Sequence, residues 1–271
     1  MNGASREALA AARERLDALT DATSVDAGAL ADELAAVTAL LDREVSLRRV
    51  LTDPAQSGEA KADLVQRLLG GQIGGETADL VSGMVRARWS QSRDLVDALE
   101  ELADTADLTA AQRAGTLDDV EDELFRFGRI VSSNTGLRAA LTDRKATASA
   151  KGELLRSLLG GRAASATERL VTRLVTAPRG RSLEAGLESL SKLAADRRDR
   201  MVAVVTSAVP LSDVQKQRLG AALAKLYGRR MHLNLEVDPA VVGGIRVQVG
   251  DEVINGSLAD RIEDAERRLA G

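Results

Sequence analysis

The one histidine of the chain, His232, is the first place to look for acid–base chemistry, since imidazole alone titrates near neutral pH without help. It lies in MHLNLEV, where Met231, Leu233, Leu235 and Val237 alternate with His232, Asn234 and Glu236. The alternation puts the histidine on the polar face of a strand. The chain has no cysteine to join it as a metal ligand or nucleophile, and no Gly-x-Ser-x-Gly elbow stands ready for a Ser-His-Asp triad. A solvated or edge histidine is the expectation. The second candidate is LLGGQIGG, beginning at Leu68, whose glycines could bring backbone amides around a phosphate. It follows a helical pattern instead of a strand, and it lacks the Gly-Lys-Ser/Thr ending that holds phosphate and magnesium. Trp89, beside Arg86, Arg88 and Arg93, reads either as packing at a core edge or as an anchor for a partner.

Composition narrows the classes further. With 271 residues, 44% of them apolar and 29% charged, the chain is globular and long enough for two or three domains. Four aromatic rings, Trp89, Phe125, Phe127 and Tyr227, leave little to stack on bases or enclose a flat ligand. A net charge of -4 and the lack of a basic block argue against nucleic acid and against an anionic membrane surface. The N-terminus, MNGASREALAAARERL, has no apolar signal core, and no run of about 18 apolar residues could cross a bilayer. Neither a cofactor nor a metal is expected.

The elements are mostly helices. Leu9, Ala12, Leu16 and Leu19 form one apolar stripe, and Leu30, Leu34, Val37 and Leu41 a second. Short helices follow at Leu47–Leu51 and Lys61–Leu69, separated by Thr52-Asp53-Pro54 and stopped by Gly70-Gly71. A fifth helix, Thr77 to Trp89, carries Leu80, Val81, Met84 and Val85; a sixth carries Leu95, Leu99, Leu102 and Ala106. Six amphipathic helices joined by short loops make a bundle over residues 1–107.

Residues 108–199 repeat it. LRRVLTD at Leu47 recurs as LRAALTD at Leu137, and Lys61, Leu64, Leu68, Leu69, Gly70 and Gly71 recur as Lys151, Leu154, Leu158, Leu159, Gly160 and Gly161, at an offset of about ninety. The second copy opens on one long stripe, Leu117, Val120, Leu124, Phe127 and Val131, with no separate counterpart of the first helix. Pro178-Arg179 stands where the first copy has Arg88-Trp89.

At residue 200 the pattern changes. MVAVVTSAVP reads as a buried strand, Ser212-Asp213-Val214-Gln215 as a capping box, and the helix it starts should bury Leu219, Ala222, Leu223 and Leu226. The strand around His232 follows, then Gly243-Gly244, an alternating strand at Ile245, Val247 and Val249, a Gly250-Asp251 turn, a short strand to Ile254, and Asn255-Gly256-Ser257 leading into a terminal helix. The two glycines at 243 and 244 suit a bulge or tight turn, or a close approach to a partner. The fold class is therefore mainly α with a C-terminal α/β module: two tandem helical bundles, then a small mixed sheet with helices over residues 200–271.

The stretch VVGGIRVQVGDEVINGSL resembles the C-terminal signature of the δ subunit of bacterial F-type ATP synthases, the counterpart of the mitochondrial oligomycin-sensitivity-conferring protein. Asn255 stands where that family usually has aspartate. The resemblance extends over Met201 to Leu269 and to the helical part, where LTDP, a lysine and LLGG follow in family order; the doubled bundle is similar to longer actinobacterial forms. It implies a non-catalytic stator subunit of the peripheral stalk, joining the α/β catalytic head to subunit b, at the cytoplasmic face of the cell membrane but not inserted in it. It also implies that a helical bundle receives the N-terminal helix of an α subunit, with subunit b at the C-terminal module and the β subunit as a further candidate contact. Leu9, Leu16, Val81, Val85 and Trp89 of the first bundle are the anchors expected for that helix, some of them serving the bundle core as well, and the second bundle is expected to be a spacer or an altered contact. Gly243, Gly244, Gly250, Asp251, Asn255, Gly256 and Ser257 are the signature residues, with a structural role. Without the resemblance, the alternatives are a small α/β enzyme or an unrelated helical scaffold.

Overall fold

A computed structural model describes residues 1–21, 25–198, 201–227, 231–238, 241, 244–249 and 252–255. It separates into two compact units, Met1–Arg197 and Arg198–Gly271. The first holds α1 (Gly3–Asp21), α2 (Ala27–Arg43), α3 (Val45–Thr52), α4 (Gly58–Leu69), α5 (Gly75–Arg86), α6 (Ser92–Arg113), α7 (Leu117–Ser133), α8 (Thr135–Thr142), α9 (Ala148–Leu159), α10 (Ser165–Thr176) and α11 (Leu183–Arg198).

Local chemistry sets many of the boundaries. Asp26 caps α2 by accepting from the amides of Gly28 and Ala29, and Ser57 and Thr147 cap α4 and α9 at equivalent places. After α3, Thr52 bonds back to the Arg48 carbonyl and Asp53 accepts from the Ala55 amide; Thr142 and Asp143 do the same to Arg138 and Lys145 after α8. The repeated Leu-Thr-Asp thus encodes one buried leucine and one turn. Gly71 and Gly161, with φ of 85° and 66°, complete the equivalent ends of α4 and α9 in the left-handed region.

Two apolar cores fill this unit, and α6 belongs to both. Its residues Leu95, Val96, Leu99, Leu102 and Ala106 pack with Leu16, Leu34, Val81 and Val85, while Leu108 and Ala111 pack with Val120, Leu124, Leu170 and Leu174. The duplication explains why. Moving α1 (residues 3–21) forward by the ninety-residue offset gives 93–111, which lies inside α6. The counterpart of the first helix is therefore the last helix of the preceding copy, and the expected boundary at 107/108 falls within one continuous helix.

A second difference concerns Trp89. The fifth helix ends at Arg86, because Ala87, the C-cap, is extended at φ -70° and ψ 166°; Trp89 lies in the following turn, where its indole N–H donates to the Met84 carbonyl at 2.8 Å.

The second unit contains β1 (Met201–Ser207), α12 (Asp213–Tyr227), β2 (Met231–Val237), β3 (Ile245–Val249) and β4 (Glu252–Asn255), with strand order β2-β1-β3-β4. β1 pairs parallel to β2, Val205 opposite Leu235, and antiparallel to β3, Val205 opposite Val247; β3 and β4 are antiparallel. Ser212 and Gln215 form the expected reciprocal cap. α12 packs through Leu219, Leu223 and Tyr227 against Val205, Leu233, Val247 and Val249. Leu226 is 67% exposed and Ala222 is also exposed, contrary to the sequence expectation. The stripe that meets the sheet is an i, i+4, i+8 line ending at Tyr227, and Leu226 sits about 100° around the helix from that residue.

Candidate functional site

The Leu-Leu-Gly-Gly loop makes an anion site that the protein has already filled. Glu33 of α2 accepts from the Gly74 amide at 2.9 Å and from the Thr77 hydroxyl, at the N-terminus of α5. In the second copy Glu123 accepts from the Ala164 amide at 3.0 Å and the Thr167 hydroxyl at 2.5 Å, at the N-terminus of α10. A carboxylate over a helix N-terminus satisfies free amides and complements the helix dipole. A phosphate there would meet an anion of like charge.

The five expected anchors lie inside the first bundle. Leu9 is 7% exposed and Trp89 8%, while Leu16, Val81 and Val85 are fully covered. They form the core under the α1–α5 pair and are not a surface in themselves. Where the two helices approach, a Cβ added at Gly83 would stand 3.9 Å from Arg15 Cδ. His232 lies on β2, an edge of the sheet, opposite Val202 in register. Gly244, with φ of 86°, needs the left-handed region immediately before β3, which supports the turn reading of that pair. Asn255 ends β4 opposite Arg246. Gly243, Gly250, Asp251, Gly256, Ser257 and the terminal helix lie outside the described residues.

What the sequence reading missed is the polar side of α6. Asp97, Glu100, Asp104 and Asp107 are spaced three and four residues apart, as regularly as the leucines, and they face the second bundle. Arg173 of α10 bonds Asp104 and, at 2.7 Å, Asp107; Arg169 reaches Asp107 at 2.6 Å. Glu100, almost fully buried, pairs with Arg179 and Arg181 in the turn that replaces Trp89. Arg179 holds φ of 47° to do so. At the far end of the unit Arg197 joins Asp17 of α1 at 3.1 Å and Gln112 of α6 at 2.7 Å. Buried ion pairs of this kind contribute little net stability, because desolvation offsets their attraction, whereas removing one partner strands the other as an uncompensated charge. Burial, with Glu100 and Asp107 nearby, raises the Asp104 carboxyl to about 7 against the opposing pull of Arg173. Asp97 is also raised, chiefly by burial. Among the described residues no His/Cys/Asp/Glu group could hold a metal ion, and no helix is long and apolar enough to cross a membrane.

Known proteins give a consistent answer. A family model described as "ATP synthase delta (OSCP) subunit" matches residues 105–269. The chain is 82% identical to "ATP synthase subunit delta" of Streptomyces griseus over the whole of both chains, and 83% identical to the protein so named in Streptomyces coelicolor, over all of this chain and 98% of that one. It is 50% identical, again full length, to the protein of that name in Thermobifida fusca. A chain in the Toxoplasma gondii mitochondrial ATP synthase hexamer overlaps 62% of this chain and 97% of its own at 18% identity and a TM-score of 0.28, too low to speak for fold or assembly. By its family match and its full-length relatives, this chain belongs to the ATP synthase delta (OSCP) subunit family, a non-catalytic component of that enzyme.

Proposed function

We propose that the chain is a stator element of the peripheral stalk, holding the catalytic head of a proton-translocating rotary ATP synthase against rotor torque. The observation that carries this reading is the full-length identity with proteins named ATP synthase subunit delta, doubled bundle included. On this reading the chain touches no nucleotide and works by contact alone. The first bundle takes the N-terminal helix of an α subunit, the C-terminal unit takes the end of subunit b, a β-subunit contact is a further candidate, and the whole sits at the cytoplasmic face of the membrane without entering it.

The buried anchors change how the α contact is drawn. Leu9, Leu16, Val81, Val85 and Trp89 support the α1–α5 ridge from beneath, so a docking helix reads the neighbouring exposed positions or displaces part of the ridge. Avidity suits a mechanical clamp, since a nanomolar hold needs about 12 kcal/mol, which two or three modest contacts supply together. The second bundle serves as a spacer, held in register with the first by α6.

The test is a titration of a peptide with the α-subunit N-terminal sequence against the full chain. Saturable binding weakened by Gly83→Glu, which places a charge where α1 and α5 meet, is the expected result. Binding unaffected by that change but lost on altering the second bundle would reverse the assignment.

A further inference from the structure

The last helix of the first unit is held differently from the others. In α11 five of the 16 residues are buried, Leu183, Gly186, Leu187, Leu190 and Ala194, against 15 of the 22 in α6. The five form one line, so α11 is attached along a single edge whereas α6 is enclosed. Open space runs along both flanks of that line. On one side a cleft of about 470 Å³ lies between α11, at Ser189 and Lys192, and helices α6 and α10; on the other, about 550 Å³ separates Glu188 and Ser191 from Phe125 and Gly128 of α7. The tightest approach is near the beginning of the helix, where a Cβ added at Gly186 would stand 2.2 Å from Leu174 Cδ1 of α10. Each end is clipped by arginine. At the start Arg179 and Arg181 close on Glu100 of α6, and Arg138 of α8 meets Glu184 at 3.7 Å. At the end Arg197 bonds Asp17 of α1, 180 residues earlier in the chain, at 3.1 Å and Gln112 of α6 at 2.7 Å; the Arg197 and Asp17 side chains are both 11% exposed.

Arg197 is also the last residue of the first unit, and the chain enters the second at Arg198. A pull on the second unit therefore arrives at this guanidinium before it reaches the apolar line of α11. A line of contacts pulled from one end opens residue by residue, each step opposed only by the side chain at the front. A clip at that end removes the front. We propose that Arg197 is a positioning residue of the stator: it passes load from the C-terminal unit straight into α1 and α6, and without it α11 peels from its C-terminal end while α6 to α10 and the first bundle stay folded. The opening is local, of the kind a helix with few buried contacts undergoes below global unfolding. Loss of the arginine also leaves Asp17 without this partner, which weakens the same end from the α1 side. The source of the load rests on the stator reading; the peeling is a property of the chain alone.

Hydrogen exchange read by mass spectrometry on the full-length chain tests the peeling. In Arg197→Gln the amides of α11 from Leu190 onward are expected to exchange at least tenfold faster than in the parent, with those of α2, α6 and α10 within twofold. Arg197→Lys, which keeps the charge, is expected to recover most of the protection. Unchanged exchange in α11, an equal rise in α6 and α10, or a lysine no better than glutamine overturns the proposal. The load is tested on stripped inverted membrane vesicles given the catalytic head and either chain. ATP-driven proton uptake is expected to start at the same rate with both and to level off at a gradient at least twofold lower with Arg197→Gln, because the clip matters only under load. Equal plateaus overturn the proposal. No uptake with the parent chain would overturn the stator reading and the load claim with it, a failure kept distinct because the exchange result is read on the chain alone.

Discussion

Arg173 on α10 and Asp104 on α6 are hydrogen-bonded partners, yet the Asp104 carboxyl remains raised to about 7 because burial outweighs an arginine that also serves Asp107. The folded-state value lies above the unfolded one of 3.8, so the native state binds this proton more tightly. The contribution is therefore favourable at low pH and is lost as pH rises toward and through 7. In urea denaturation the helical unit is expected to lose on the order of 1–3 kcal/mol from this group between pH 5 and pH 8. Asp104→Asn should flatten that slope. A slope that persists unchanged in the variant would place the titrating group elsewhere.

The carboxylate buttresses at the two helix N-termini give a paired prediction. Glu33→Ala and Glu123→Ala each remove a capping acceptor and leave an amide and a hydroxyl without it, a cost of about 1–2 kcal/mol apiece. The sites belong to different copies and share no partner, so the double variant should be additive to within about 0.5 kcal/mol. Chemical denaturation of the four proteins measures this; a loss under about 0.5 kcal/mol for either single variant would contradict it.

At the glycine pair, two adjacent substitutions should differ for different reasons. A Cβ at Gly70 would stand 2.3 Å from the Gln66 carbonyl oxygen, which is backbone and cannot yield, whereas Gly71 has open space but a φ of 85°. Gly71→Ala is expected to cost about 1 kcal/mol and Gly70→Ala at least about 2. Equal melting temperatures for the two variants would show that the helix end rearranges.

Much of this architecture was readable because it is written twice. Leu-Thr-Asp, the buried lysine and the glycine pair recur at a constant offset, and each pair does the same job in both copies: the turn, the cap, the helix stop. The sharing of α6 was harder to see, since an apolar stripe from Leu95 to Ala106 already accounts for it as one bundle's last helix, and its second face is made of aspartates and a glutamate that look solvated. Charges on a helix report burial only when their partners are known, and Arg169, Arg173, Arg179 and Arg181 lie 62 or more residues further on in the Asp107, Glu100 and Asp104 pairings. The burial of the expected anchors went unread for a related reason. A 3.6-residue period identifies the apolar face but cannot distinguish a face that awaits a partner from one already covered by the chain itself, and Leu16, Val81 and Val85 are covered. On α12 the same period made Leu219, Leu223 and Leu226 equivalent until the sheet selected Tyr227 over Leu226.

The shared helix makes a cooperative unit, and the single tryptophan can report on it. Trp89 is buried in the first core, while circular dichroism at 222 nm samples helices of both bundles. If α6 couples the two, tryptophan emission and helix ellipticity should fall together in one transition on denaturation. A first bundle that loses its tryptophan signal while half the helicity persists would show two independent domains.

The central claim, that the chain is the coupling stator and not a catalyst, is tested most directly on inverted membrane vesicles washed at low ionic strength to remove it. ATP-driven proton uptake should collapse in the stripped vesicles and return when the purified chain and the released head are added together, with no recovery when the head is added alone. Full proton pumping by vesicles and head in the complete absence of this chain would contradict the account.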